Sequence, residues 1–514
     1  MKKQFTGIVA VLLFACPLIA QQSLPQDLAF IIKREAFQNS QIEAMAVYMT
    51  DYAGPRLAAS KLGERAEILA KEKMVELGFS NARIEKAADF PRGGWDNLKT
   101  YAAMTAPYYC NFMATPKAWS GSTNGLVSGE VVLLEINTLE DIAKYRGKLG
   151  NKIVLMPETS KYEMQFTPFA SRHTDERLAL LATDPRPQPA RAFRIPMMGA
   201  AMEMQLAIRA LLAEEKPAVL VGGGGFFNVP RSTSVQYARH GDPEPVAELV
   251  LPVEAHGRMV RLIAQKIPVS MEVEIKNEFY NNPVINNVIA EIPGSDPRLK
   301  DEVVLLGGHL DSWHGSTGAA DNASGCMVMI EALRIIKESG IKPRRTIRVA
   351  LWGGEEVGLI GSRGYVQDFL YDVEGNKPKK GYEQFALYLN MDNGSGKFRG
   401  IYLEENDMAF VFFREWIKAL DNMGFNTLSP RRTGGTDHMS FDRIGLPAFQ
   451  FIQDDLEYGR GYHTPMDTYE RLIMSDLQYN AAVVAILALS AAMDNGKIPP
   501  KPLPAGFSMQ PRRP

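Results

Sequence analysis

"DEVVLLGGHLDSWHGSTGAADNASGCMVMIEALRIIKESG", from Asp301 to Gly340, decides how the fold is read. Val303 to Leu306 are four consecutive apolar residues followed by Gly307 and Gly308, which reads as a buried strand closed by the glycines. From Asn322, read as an N-cap, apolar residues recur at helical spacing until Gly340 stops the helix. The stretch between, His309 to Gly325, holds two of the chain's seven histidines, two aspartates and three glycines. It links the C-terminal end of a strand to the N-terminal end of a helix. In open α/β sheets that is where ligands bind.

The same pattern extends downstream. The segments "VIAEIPG", "EVVLLGG", "TIRVALWGG", "FALYLNMDN" and "PAFQFIQ" read as strands, and helices are expected near 323–338, 357–370, 407–423 and 475–494. Apolar strands alternating with helices predict an α/β fold, a doubly wound, mostly parallel sheet covered on both faces. Chemistry gathers at the strand ends. Glu355 and Glu356 follow one strand, Asp392 follows another, and His463 lies in the loop after a third. With His309, Asp311 and Asp321 they form a set of seven on one edge of one sheet.

Each of these residues has an ordinary reading of its own. A lone loop histidine is usually a surface or capping residue. Asp311 or Asp321 alone suits a turn or an N-cap. Glu355 and Glu356 alone would be a solvated pair at a helix start. Their coincidence at successive strand ends favours a metal site. Zinc takes imidazole and carboxylate ligands, and a catalytic site keeps one position open. Two ions roughly 3.5–4 Å apart need a bridging carboxylate and separate ligands on each side. Five residues would suffice, leaving one Glu to act as the general base that hydrolysis requires.

"GGHLDSW…GAADNASG", "WGGEEVGLIGS", "LNMDN" and "YHTPMDTYERL" resemble the co-catalytic zinc exopeptidases, the family of bacterial leucyl aminopeptidase and carboxypeptidase Q. "YAGPRLAASKLGERAEILAKEKMVELGF" resembles that family's N-terminal segment, and the 120–255 region resembles the protease-associated domain often inserted in it. The resemblance implies a phosphorylase/hydrolase-like fold, two Zn²⁺ and a peptide substrate. It implies that His309 and Asp392 hold one zinc, Glu356 and His463 the other, and that Asp321 bridges. It makes Glu355 the general base and Asp311 the carboxylate that orients a ligand imidazole. "RRTGGTDHMSFDRIGLP" resembles the substrate-side loop and offers Asp437 and His438 as a specificity wall. Tyr458 and Tyr462 near His463 read as packing residues. His314 keeps its ordinary reading. Two rival functions share the fold: a cyclotransferase acting on N-terminal Gln, and a receptor-like binding module that has lost its metals. Specificity for the N-terminus, the C-terminus or dipeptides is not legible.

The remaining sequence bounds these readings. At 514 residues, 46% hydrophobic and 23% charged, the chain is an ordinary globular protein of two to four domains. A formal net charge of −2 without a basic stripe argues against a nucleic-acid partner. "MKKQFTGIVAVLLFACPLIAQQ" reads as a signal peptide cleaved after Ala20, with lipid anchoring at Cys16 a minor alternative. Secretion or periplasmic export follows, without stable membrane insertion afterwards, because "AAVVAILALSAAM" is too short to span a bilayer and reads as a core helix. Export permits a Cys110–Cys326 disulfide, but Cys326 on a buried helix face reads equally as a reduced core thiol. "SKLGERAEILAKEKMVELGFSNARIEK" is a helix ended at Gly78, then a strand. The expected division is 1–20 signal peptide, 21–118 and 256–497 peptidase domain, 119–255 inserted β-rich domain, and 498–514 a Pro-rich tail. A homodimer is left open.

Overall fold

The computed structural model describes residues 23–157, 164–183, 195–223, 245–281 and 283–503. The expected signal peptide, Cys16 and most of the Pro-rich tail lie outside the described residues.

The strand at the head of the quoted stretch does not stop at its glycines. It spans Val303–His309, with Gly307 and Gly308 in parallel register with Ala350 and Leu351. The glycines serve packing here. A Cβ at Gly307 would lie 2.8 Å from Tyr388 Oη and 2.9 Å from the Ala350 carbonyl. His309 is therefore the last residue of the strand, with the rigidity of the sheet behind it. The N-cap of the following helix, Ser324–Glu338, is Ala323 rather than Asn322, whose side chain, one residue earlier, accepts from the Gly325 amide at 3.0 Å.

The sheet around this strand has eight members. Their order is Ser80–Asp89, Val284–Ile292, Thr346–Trp352, Val303–His309, Phe385–Asn390, Ala448–Gln453, Phe398–Tyr402 and Thr427–Ser429. The four strands from Thr346–Trp352 to Ala448–Gln453 are parallel, as the alternation predicts. The flanks correct the mostly parallel expectation to a mixed sheet. Val284–Ile292 runs antiparallel to Thr346–Trp352, and Phe398–Tyr402 antiparallel to Ala448–Gln453. Val284–Ile292 has no crossover helix before it. The chain arrives straight from the strand Ser270–Tyr280 and enters the sheet at the edge where Thr346–Trp352 ends.

Side chains on successive strand residues point to opposite faces, and the core follows that rule. Val304 and Leu306 join the cluster formed with the helices Ser324–Glu338 and Met474–Met493. Leu305 joins the opposite cluster, with Trp352, Tyr365 and Phe441. Burying each such Leu or Val contributes about 1.5–3 kcal/mol. Met474–Met493 is, among the described residues, the helix long and apolar enough to cross a membrane, and 89% of its apolar window is buried. It packs as the core helix its sequence suggested.

A second eight-stranded sheet lies outside this domain. Its long strands are Gly94–Ala106 and Ser270–Tyr280, paired antiparallel, and its short ones include Val127–Leu133, Ile153–Leu155, Val219–Gly223 and Glu248–Leu251. The sheet thus begins before residue 119 and continues past 255. Its core draws Ala102 and Met104 from one long strand and Met271, Val273 and Ile275 from the other. A cluster of Leu57, Phe90, Trp95, Trp119, Ile285 and Trp313 seals the seam between the two sheets. Cys110 and Cys326 are both free, and buried Cys326 sits with Sγ 3.0 Å from the His309 carbonyl.

Candidate metal centre

His309 ends its strand with its ring fixed from behind. Nδ1 lies 2.9 Å from the Asp311 carbonyl, so Nδ1 carries a proton and Nε2 is the nitrogen turned toward the acidic cluster. Nε2 sits 3.2 Å from Asp321 Oδ1 and 3.5 Å from Asp392 Oδ2. Across Asp321, His463 Nε2 lies 3.2 Å from Asp321 Oδ2 and 2.9 Å from Glu356 Oε2. Two groups result: His309, Asp321 and Asp392, and Asp321, Glu356 and His463, each with ligand atoms within 4.8 Å of one another. Asp321 belongs to both. All five residues expected as ligands meet here, and Glu355 stands beside them in neither group.

The donor set fits cations. His309 Nε2, Asp321 Oδ2, Glu356 Oε1 and His463 Nε2 are buried and make no directed hydrogen bond. Buried lone pairs left this way are costly unless a ligand takes them. Burial disfavours the charged form of His309, yet Asp392, Asp311 and Asp321 outweigh it and raise its pKa well above normal. Burial likewise opposes charge on His463, but Glu356 and Asp321 push it up to about 10. Burial would raise Asp321, but its two imidazole partners pull it below the usual carboxylate range. Burial, opposed by His463 and aided by Asp321, lifts Glu356 to about 7. The cluster is a well of negative charge that holds protons on both imidazoles, and a divalent cation would compete for the same lone pairs and release them.

Glu355 follows Gly353 and Gly354 at the end of Thr346–Trp352. Gly354, at φ 68°, turns the chain sharply there. Burial raises the Glu355 carboxyl well above the normal range; His309 opposes this, and Asp392, Asp437 and Glu356 add to it. Asp311 works differently from the expectation. Its carboxylate is 3.7 Å from His309 Nδ1, and accepts instead from the amides of Glu355 at 3.0 Å and Glu356 at 3.3 Å. Its carbonyl orients the imidazole, and its carboxylate fixes the turn that aims both glutamates.

Several positioning residues escaped the sequence reading. Asp467 accepts from the amides of Ala320 at 2.7 Å and Asp321 at 2.9 Å. Buried Arg56 donates to the carbonyls of Leu310, Thr317 and Gly318, tying the far N-terminal segment to the ligand loop. Trp313 Nε1 donates to Glu356 Oε2 at 2.9 Å. Gln450 donates to the Asp392 carbonyl and accepts from Asn390. Asp467 offered one signal, a carboxylate four residues after His463. Trp313 lies four residues after His309, within the quoted stretch, but nothing local marks it as a partner of Glu356; Arg56 is distant in sequence, and neither it nor Gln450 carries a signal.

The remaining candidates separate. Tyr462 stacks on His463 with ring centroids 3.5 Å apart, a packing role as expected. His314 reaches the Pro116 carbonyl at 2.8 Å in the seam, and burial lowers its pKa to about 4, so it stays neutral. Asp437 and His438 are fully buried and take no part in lining the neighbouring cleft.

Comparisons with known proteins bear on the family and the fold. Residues 287–488 match the model of Peptidase family M28. Carboxypeptidase Q of Mus musculus is 23% identical over 457 residues, which cover 89% of this chain and 86% of that protein. The crystal structure of a peptidase M28 precursor from Shewanella amazonensis has the same fold, with a TM-score of 0.66 and 24% identity over 93% of this chain and 98% of the other. A zinc aminopeptidase from Bacillus subtilis shares it at a TM-score of 0.54 and 18% identity, over 89% of this chain and 98% of its own.

Proposed function

We propose, from the premise that residues 287–488 belong to peptidase family M28, that this protein is a zinc exopeptidase, exported through residues 1–20, which hydrolyses terminal peptide bonds of short peptides with two Zn²⁺ bound. One observation carries the reading: Asp321 is common to two ligand groups, while Glu355 lies beside both and belongs to neither. That is the division of labour a two-ion hydrolase needs.

His309 and Asp392 would hold one ion, Glu356 and His463 the other, with Asp321 between. When bound, the zinc pair supplies Lewis acidity for the scissile carbonyl and lowers the pKa of water. The chain's own residues do the rest. Asp311 holds the two glutamate amides and so sets the direction of the Glu355 carboxylate. Glu355 takes a proton from the attacking water as the new C–O bond forms. It returns that proton to the nitrogen as the C–N bond breaks, so the products are a free carboxylate and a free amine.

The test measures zinc per chain and hydrolysis of dipeptides, aminoacyl amides and blocked peptides, before and after chelation. Two zinc per chain, activity lost on chelation and restored by Zn²⁺, and no cleavage of peptides blocked at the attacked end are expected. Full activity in metal-free protein sinks the reading.

A further inference from the structure

We propose that residues 164–177, which the chain sends from the second sheet across to the catalytic domain, form one wall of the substrate pocket and select peptides with a large apolar side chain beside the scissile bond. This rests on the exopeptidase reading above and adds to it a substrate class and the residues that set it.

A cleft of about 800 Å³ lies between this segment and residues 451–460, the end of the strand Ala448–Gln453 and the stretch that follows it. That is ample room for a short peptide, since small-ligand pockets run roughly 300–1,000 Å³. It reaches the ligand loops through Asn393, which follows Asp392, and through Tyr458, whose ring packs on Gly394.

The wall is anchored. Ser171 and Leu456 exchange backbone hydrogen bonds of 3.1 and 2.8 Å, as two paired strands would. Arg172 bridges Asp454 at 2.8 Å and Asp476 at 2.7 Å, and the His173 amide reaches Asp454 at 2.9 Å. The following helix, Asp175–Thr183, accepts at its carbonyls from Ser429 and Arg431. A wall fixed before substrate arrives can discriminate by shape, because no ordering cost blurs the difference between substrates.

The wall sets three exposed apolar side chains among polar ones. The cleft's cations already have partners: Arg177 lies 3.6 Å from Asp455, and Arg460 lies 3.6 Å from Glu457 and over the Phe169 ring at 4.4 Å. Polar groups such as Gln165, Thr167, Asn393 and Gln453 share the lining, and the segment adds exposed hydrocarbon beside them. Phe166 is 92% exposed, Met164 66% and Phe169 39%, all lining the cleft. Apolar groups gathered in a concave, polar-rimmed place mark a binding surface.

The experiment uses the zinc-loaded full chain and two dipeptide series, X-Ala and Ala-X, with X as Phe, Leu, Ala or Asp. In at least one series the wild type should prefer Phe and Leu over Asp. Phe166→Ala and the double variant Phe166→Ala/Phe169→Ala should lower kcat/KM for X = Phe by about tenfold, mostly through KM, with X = Ala changed far less. Zinc content should be unchanged, and so exposed a ring can be removed without unfolding the chain. A uniform loss on every X, or no loss on any, overturns the pocket while leaving the peptidase standing. A zinc-loaded wild type that cleaves no member of either series overturns the exopeptidase reading, and the pocket with it.

Discussion

Glu355 and Glu356 are neighbours with the same side chain, and the fold gives them different work. Glu356 Oε2 touches His463 and Trp313, whereas Glu355 belongs to neither ligand group. Glu356→Ala should therefore lose zinc and activity together. Glu355→Ala should keep its zinc and lose roughly 10²–10⁴ in kcat, with KM changed less. Zinc analysis beside steady-state kinetics reads both outcomes, and the opposite pairing would reverse the roles. Away from the site, Glu67 has a pH-dependent consequence of its own. Burial raises its carboxyl from 4.5 to about 7, against the hydrogen bond from Asn286. Between those pH values the folded state binds more protons than the unfolded one, so this group's contribution to stability falls as pH rises through that window. Glu67→Gln keeps an acceptor for Asn286 and removes the charge. It should stabilise the protein at pH 8 by roughly 1–2 kcal/mol and leave it unchanged at pH 4, as thermal melts at the two pH values would show.

At the scale of elements, the loop from His309 to the helix Ser324–Glu338 is shaped by two residues that hold its backbone. Arg56 gathers its carbonyls and Asp467 its amides. Asp467→Ala would leave two buried amides without an acceptor and free Asp321 to move. Zinc affinity should fall by about 10–100-fold, the usual effect of losing a group that orients a ligand, with the fold retained. Competition with a chromophoric chelator measures it, and wild-type affinity would refute the role. The candidate ligands were legible because strand ends are rigid and the residues there are polar amid apolar sequence. Asp467 and Arg56 were not, because an aspartate after a histidine and an arginine 250 residues upstream look ordinary until the chain folds.

At the scale of the whole molecule, the second sheet is inserted between two strands of the first. Ser80–Asp89 and Val284–Ile292 pair antiparallel, and the Phe90 amide bonds to the Pro283 carbonyl at 3.0 Å. The chain thus leaves and finally re-enters the catalytic domain at one point, and residues 171–183 touch that domain again in between. Joining residue 90 to residue 283 by a short Gly-Ser linker should give a folded catalytic domain, less stable for loss of Trp95 and Trp119 from the seam. Removing 119–255 instead would leave Gly94–Ala106 and Ser270–Tyr280 with Met104, Met271 and Val273 uncovered, and should aggregate. Circular dichroism and size-exclusion chromatography of the two deletions decide this, and equal behaviour would place the boundary elsewhere.

The sequence by itself determined the central parallel strands, the helices between them and the seven residues of the candidate site. Periodicity and strand-end position are local properties: His309, Glu356 and Asp392 sit at or within a few residues of strand ends and Asp321 just before a helix, while His463 lies in the longer loop after Gln453. Tertiary structure alone decided the antiparallel flanks, the continuation of the Val303–His309 strand through its glycines and the extent of the second sheet. It also assigned Asp311 to the glutamate amides and brought residues 164–177 against residues 451–460. Those features depend on which distant segments pair, and pairing is governed by backbone hydrogen bonds and shared burial that no single stretch of sequence contains.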